Sequence, residues 1–531
     1  MFRGTLSTEK DTAGCGSRSG NLKPASNKKC FNAMLAWFLP DDRIFADVKF
    51  HGNTTWSPRG LVFLALCWSL SDAPFLTDAF ATAVSWCDSL LAGSPLRSYT
   101  GFMGAMTTWT TKFIDLLCQV LQNRMKEIGG KFWEICNWVP IAFDGSRSTA
   151  PRTRANEKAF CAPNYGQSRS AKHRTKKTKG IQNKRTVKSL RRQNKKASKA
   201  RHLTKVEAAR SLQKVAAMQN LQQQPMPQAP QVWITMLWHM GLRLPWMWRL
   251  GPSNSVERDH VLQMLDVGRF PSNTLFCGDA GFVGYPFWSA IRRKGHHFMV
   301  RVGANVSLLT ESADYTLQEN GEVLCWPLAS IRANDPPLRL RLVKVLIGKT
   351  NVWILTSVLD EDDLTTEQIV KFYKMRWGIE IEFRGLKQVM DRSLLRCRND
   401  RRLLVELDWS IMAMAVVELF ALKEQLSKTR GTRPKKNGNQ PPYTPVKRSL
   451  ANALRVLRGC LTHLDEIPTP CEDLPNLLRK AVTDSYLRTS SKKARHRPPN
   501  KDKKPLGDPK LRTLTVQEKA RLHVISEKRA A

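Results

Sequence analysis

The stretch FYKMRWGIEIEFRGLKQVM carries Tyr373, Arg376, Glu380 and Lys387, with a second glutamate, Glu382, two residues beyond the first. On one helix at about 100° per residue, Tyr373, Arg376, Glu380 and Lys387 share a stripe about 60° wide. Glu382 falls about 180° from Tyr373, beside an apolar face made by Phe372, Met375, Ile379, Leu386 and Met390. Spacing alone therefore selects Glu380 as the carboxylate with polar company. The pattern has two readings: an i, i+4 surface ion pair between Arg376 and Glu380, or a metal-binding glutamate with Tyr373, Arg376 and Lys387 holding a phosphate strand beside it.

Two further carboxylates bear on the choice. Asp144 in IAFDGS and Asp279 in FCGDAGF each follow a short apolar run that reads as a strand running into a turn. Either aspartate alone reads as a turn residue. Together with a helical glutamate they fit a site in which three carboxylates hold two divalent cations about 4 Å apart. Carboxylate oxygens suit Mg²⁺ or Mn²⁺, which are hard ions.

The elements that must position these residues can be read in outline. Residues 1–27 are polar and glycine-rich and are expected to be disordered. Residues 28–135 show helical periodicity in four or five segments, an all-α domain and a candidate reader of specific DNA. QVWITMLWHM and PWMWRL read as an antiparallel pair in the sheet core, tryptophans included, and SNSVERDHVLQML as a helix opened by an Asn254–Glu257 capping box. HHFMVRVG is a further strand, with His296 and His297 in ordinary packing. Several strands follow over 304–360, with an Asn-Gly turn at Asn320. DDLTTEQIVKFYKMRWGIEIEFRGLKQVM reads as one helix and LLVELDWSIMAMAVVELFALKEQL as a long buried one. Residues 426–531 are basic, and the tail from about 488 is expected to be disordered.

The spacing Tyr373-x₂-Arg376-x₃-Glu380-x₆-Lys387, after DGSR at Asp144 and DAGF at Asp279, resembles the insertion-element Asp-Asp-Glu transposases of the Tyr-Arg-Glu-Lys, or IS-four-like, branch. The resemblance spans about residues 135–425. It implies an α/β fold with a ribonuclease-H-like catalytic core at 136–425, and a β-rich insertion between the second aspartate and the glutamate. It further implies cut-and-paste DNA transposition by metal-dependent strand cleavage and strand transfer. Asp144, Asp279 and Glu380 would bind two Mg²⁺ or Mn²⁺ ions per active site, with Tyr373, Arg376 and Lys387 on the DNA. The partners implied are the element's terminal inverted repeats, target DNA and a second subunit in a homodimeric synaptic complex. A basic segment at 166–228 has no place in the family core, and after Asp279 the aromatic follows the glycine directly. A catalytically inactive DNA-binding remnant and a host nuclease of the same fold are the alternatives.

Composition narrows the partners independently. The 531 residues hold 85 Lys and Arg against 45 Asp and Glu, a formal charge of +40 that favours a polyanion, nucleic acid before an anionic membrane. Between Arg169 and Arg201 stand fifteen Lys or Arg and no acid, suited to sequence-independent phosphate binding. The twelve cysteines include no C-x-x-C pair, which argues against a zinc ribbon or disulfide framework and for a reducing cytoplasm. The longest apolar run, LVFLALCWSL, is far short of the roughly 20 residues that span a bilayer. A signal peptide is not evident, and the expected location is a bacterial cytoplasm, in association with the nucleoid.

Overall fold

Why β1 (Val139–Thr149) runs straight through its Asp-Gly pair is explained by its neighbour: β2 (Gln231–His239) pairs with it antiparallel from Ile141↔His239 to Thr149↔Gln231. The ladder hydrogen bonds keep Asp144 and Gly145 extended, so Asp144 lies within a strand and not in the expected turn. The computed structural model describes residues 25–161, 229–311, 320–427, 443–483 and 506–530, apart from loop positions 52–53, 55, 92–96, 349 and 470–471. The basic segment from 162 to 228 and the first 24 residues lie outside this range.

Four helices precede the sheet: α1 (Asn27–Phe38), α2 (Pro58–Leu70), α3 (Leu76–Leu91) and α4 (Tyr99–Gly129). After β1 come α5 (Arg154–Phe160), β2, β3 (Leu244–Gly251), α6 (Glu257–Val267), β4 (Thr274–Gly278), α7 (Tyr285–Arg293) and β5 (His297–Val302). Next follow β6 (Ser307–Thr310), β7 (Asn320–Cys325), α8 (Leu328–Arg332), β8 (Leu338–Ile347) and β9 (Thr350–Thr356). Among the described residues the strands form one sheet in the order β10-β6-β7-β8-β9-β5-β4-β1-β2-β3, where β10 is Lys510–Thr513. β3, β2 and β1 are mutually antiparallel, while β1, β4 and β5 run parallel. This mixed five-strand unit fits a ribonuclease-H-like core. The strands between Asp279 and Glu380 join the same sheet where β9 pairs antiparallel with β5.

Two sequence expectations fail here. Asn320 and Gly321 sit in β7, opposite Val343 and Leu342, so the Asn-Gly pair makes no hairpin turn. The tail is also structured from residue 506. β10 adds parallel to β6, Asp508 accepts from Trp353 Nε1 at 2.6 Å, and α14 (Val516–Ala530) follows. A small separate core of Leu309, Leu324, Trp326, Ile331 and Leu514, with Leu522 and Ile525 beside it, anchors the segment. Its apolar residues are too sparse in sequence to announce an element, and they become a core only against the strands they meet.

The longest burial is that of α11 (Asp400–Ser427), flanked earlier in the chain by α9 (Thr366–Arg376) and α10 (Gly378–Arg384). Nearly every side chain of α11 from Leu403 to Leu426 is buried, as its continuous apolar sequence requires. On one side Trp248 of β3 donates to Asp408 at 2.8 Å; on another Trp409 donates to Thr110 of α4 at 2.9 Å. The N-terminal helices and the sheet therefore share one core through α11. Two short helices, α12 (Leu450–Thr462) and α13 (Leu474–Lys480), close its far end, where Gln425 donates to the carbonyls of Leu478 and Ala481.

Candidate functional site

Parallel register places the two aspartates together. β1 and β4 pair as far as Ala142↔Cys277, and Asp144 and Asp279 each lie two residues past that pair, on the same face by strand alternation. Each carboxylate is oriented by a nearby glycine N–H: Gly145 donates to Asp144 Oδ1 and Gly281 to Asp279 Oδ1, both at 2.8 Å. One oxygen of each is thereby fixed and the other left to face the site.

The expected single helix is broken in three. α9 opens with a full capping box, Thr365 with Gln368, and ends at Arg376; α10 restarts at Gly378. Residues Gly385–Val389 then widen into a π turn, closed by Met390 N–H on the Gly385 carbonyl at 3.1 Å. Such single π turns are frequent at functional sites. The hydrophobic period continues across both breaks, which is why the sequence conceals them.

Despite the breaks, Glu380 arrives beside the aspartates. Arg376 links them, with Nη1 3.6 Å from Asp144 Oδ2 and Nη2 3.8 Å from Glu380 Oε1. These are ion-pair separations, too long for hydrogen bonds. The Arg376 side chain is only 7% exposed against 37% for Glu380. Its Nε and Nη1 are buried without a hydrogen-bond partner. Its guanidinium also lies 5.7 Å from the Tyr373 ring centroid. Lys387, carried by the π turn, reaches β1 instead and donates to Ser146 Oγ at 2.7 Å. Burial lowers the Lys387 pKa. The structure thus brings Asp144, Asp279, Glu380, Arg376 and Tyr373 to one place and ties Lys387 to the strand of Asp144.

A fourth carboxylate, Glu257, was missed in the sequence. Read there as a capping residue, it is the first residue of α6, whose N-cap is Val256 with no side-chain cap bond. Its carboxylate lies over the aspartates: a Cβ on Gly145 would fall 2.1 Å from Glu257 Oε1. A Cβ on Gly281 would have Asp279 Oδ1 at 3.1 Å and Glu257 Oε2 at 4.0 Å. The two glycines are the space in which Glu257 sits. Burial, with the charges of Asp144 and Asp279 added, pushes the Glu257 carboxyl up to about 7. Burial likewise pushes Asp144 up to about 6; the Gly145 N–H and Arg376 oppose this, while Asp279 and Glu380 add to it.

Glu382 goes the other way. It is buried, accepts from Trp238 Nε1 at 3.3 Å, and faces Glu418 of α11. Burial first, then Glu418, holds its carboxyl well above the usual range. Glu418 pairs with Arg448 at 3.4 Å, and Arg448 also donates to the Leu242 carbonyl at 3.0 Å and to that of Arg243. Helical angle separated the two glutamates correctly.

Comparison with known proteins bears on the same stretch. Residues 241–416 match the Transposase DDE domain family. The matched region includes Asp279 and Glu380 and begins downstream of Asp144. A relative named "Putative transposase y4zB", from Sinorhizobium fredii, is 24% identical over 159 residues, covering 28% of this chain. The chain spans 43% of that relative's length. A solved piggyBac transposase synaptic complex with hairpin DNA aligns over 86% of both chains at 11% identity and a TM-score of 0.37, a likeness that carries no argument about the fold.

Among the described residues no three of His, Cys, Asp or Glu stand close enough to form a complete metal shell. The donor chemistry nonetheless fits a hard divalent cation. The carboxylates that the DDE domain match covers, together with Asp144 and Glu257, are all oxygen donors, and Asp144 and Glu257 are held up in pKa partly by unrelieved neighbouring negative charge. No helix among the described residues is long and apolar enough to cross a membrane.

Proposed function

We propose that this protein is a DNA transposase of the Asp-Asp-Glu type, in the Tyr-Arg-Glu-Lys branch, cleaving DNA strands and joining the freed ends to a target. The observation that carries the reading is the meeting of Asp144, Asp279 and Glu380, from three distant parts of the chain, around Arg376. The match to the transposase DDE domain and the formal charge of +40 support it.

Asp144, Asp279 and Glu380 would hold two Mg²⁺ or Mn²⁺ ions. Bound there, the ions would supply activation of water or a 3′ hydroxyl and stabilisation of the leaving oxygen. Arg376 keeps Asp144 and Glu380 from repelling one another, and its two unpartnered nitrogens offer donors to a phosphate oxygen. Tyr373 supports that guanidinium, and Lys387 fixes the π turn to β1 so that Glu380 stays over the aspartates. The N-terminal helices are the candidate reader of the element's inverted repeats, and two subunits acting on two ends are the expected assembly.

The test is a supercoiled plasmid carrying the ends of the element, incubated with Mg²⁺ or Mn²⁺. Wild type should nick and join; Asp279→Asn and Glu380→Gln should each lose nicking by about 10³-fold or more while still binding the DNA. Undiminished nicking by either variant would overturn the site. Cleavage without joined products would indicate a nuclease, and binding without cleavage a remnant.

A further inference from the structure

The break between α9 and α10 has a consequence on its outer side. Arg376 turns inward to the carboxylates, and Gly378 lies flush against β2, where a Cβ would fall 2.2 Å from a Trp238 ring carbon. Trp377, between them, is turned out and is 55% exposed. Every other tryptophan among the described residues is buried or half-buried. One turn further on, Ile381 is 45% exposed. Between the two sits Glu380, whose N–H donates to the Trp377 carbonyl at 3.2 Å. An aromatic ring and an aliphatic side chain therefore form an apolar shelf at the edge of the carboxylate site.

We infer that Trp377, backed by Ile381, stacks on an unpaired nucleobase of the DNA strand whose phosphate enters the site. This rests on the DNA reading above and adds a contact that neither the carboxylates nor the cations provide. A protein this basic that leaves its most exposed tryptophan beside buried, unpartnered guanidinium nitrogens is arranged for a ligand that is anionic on one side and flat and apolar on the other. A nucleotide is both, and every base offers a ring face to an aromatic side chain. A base inside a duplex is already stacked on both faces, so the occupant is a base at a strand end or out of its pair. The kink makes the two contacts simultaneous: consecutive residues point to the phosphate side and to the base side.

The experiment uses the full chain and a short single-stranded oligothymidylate with one 2-aminopurine at its 3′ end. Wild type should quench the fluorophore on binding; Trp377→Phe should retain most of the quenching and Trp377→Ala should lose it. Affinity measured by anisotropy should fall about 5- to 100-fold in Trp377→Ala. Thermal unfolding of all three proteins should coincide, because the side chain is exposed. Quenching by Trp377→Ala equal to wild type overturns the inference. So does a lowered unfolding temperature, or loss of a dimer, in Trp377→Ala with quenching intact, since the shelf would then be part of the fold or an interface between copies. If wild type itself binds no oligonucleotide, the DNA reading fails along with it.

Discussion

Two groups of carboxylates lie within one helical turn of each other and are treated oppositely. Asp144, Asp279, Glu257 and Glu380 share Arg376 as their nearest cation, with Glu380 open to solvent. Glu382 and Glu418 are sealed between α10 and α11, with Arg448 bound to Glu418 and to two main-chain carbonyls. The first group concentrates negative charge that the fold does not neutralise. The second is matched by Arg448 and by the proton that Glu382 retains. A fold that can satisfy buried carboxylates in one place and leaves them in mutual repulsion in another is using the repulsion, and an added cation is what would relieve it.

The contrast can be tested on each side. The largest effect on folding should come from Glu418→Ala, which leaves Arg448 buried and unpaired; chemical denaturation should show a loss of about 3–5 kcal/mol. Glu382→Gln, which preserves a neutral hydrogen-bonding group, should be far milder, and equal losses would show that Glu382 is charged in the native protein. Next in size, Glu257→Gln should lower Mg²⁺-dependent nicking about 10- to 100-fold without lowering the unfolding midpoint. An unchanged rate would place Glu257 outside the working site. The smallest effect should come from a third buried carboxyl, Asp408 beneath Trp248, which burial pushes up to about 7. Its folded pKa exceeds the unfolded one, so its contribution is fully present below about pH 4 and lost as pH rises through about 7. Asp408→Asn keeps an acceptor for Trp248 and removes the titration. At pH 8 it should melt about 2–4 °C above wild type, and at pH 4 no higher.

What the sequence revealed follows from which interactions are local. The strands from β1 to β5 were legible because their apolar runs are continuous and bounded by turn residues, and the stripe geometry of Glu380 and Glu382 holds even across a broken helix. The breaks themselves come from tertiary contact: Gly378 must meet Trp238, and Lys387 must reach Ser146. Glu257 could not be distinguished from a helix-capping residue, because its neighbours are Gly145 and Gly281, remote in sequence and near only after β1 and β4 pair. A signal was present in retrospect, since both aspartates are followed within two residues by a glycine. Asp144 was taken for a turn because Asp-Gly favours one in isolation, and pairing with β2 overrides that preference.

The strand added at the end of the chain also bears on how the protein survives in a crowded cell. β10 covers β6, whose Leu308, Leu309 and Thr310 are buried, and presents Lys510 and Arg512 outward on a strand of only four residues. A short, charged strand is a poor template for further pairing, whereas β6 stripped of it would offer unsatisfied N–H and C=O groups to any passing chain. Loss of the last two dozen residues would leave every carboxylate of the site in place and still yield a protein prone to self-association. The end of the polypeptide acts as a guard on solubility, remote from the chemistry.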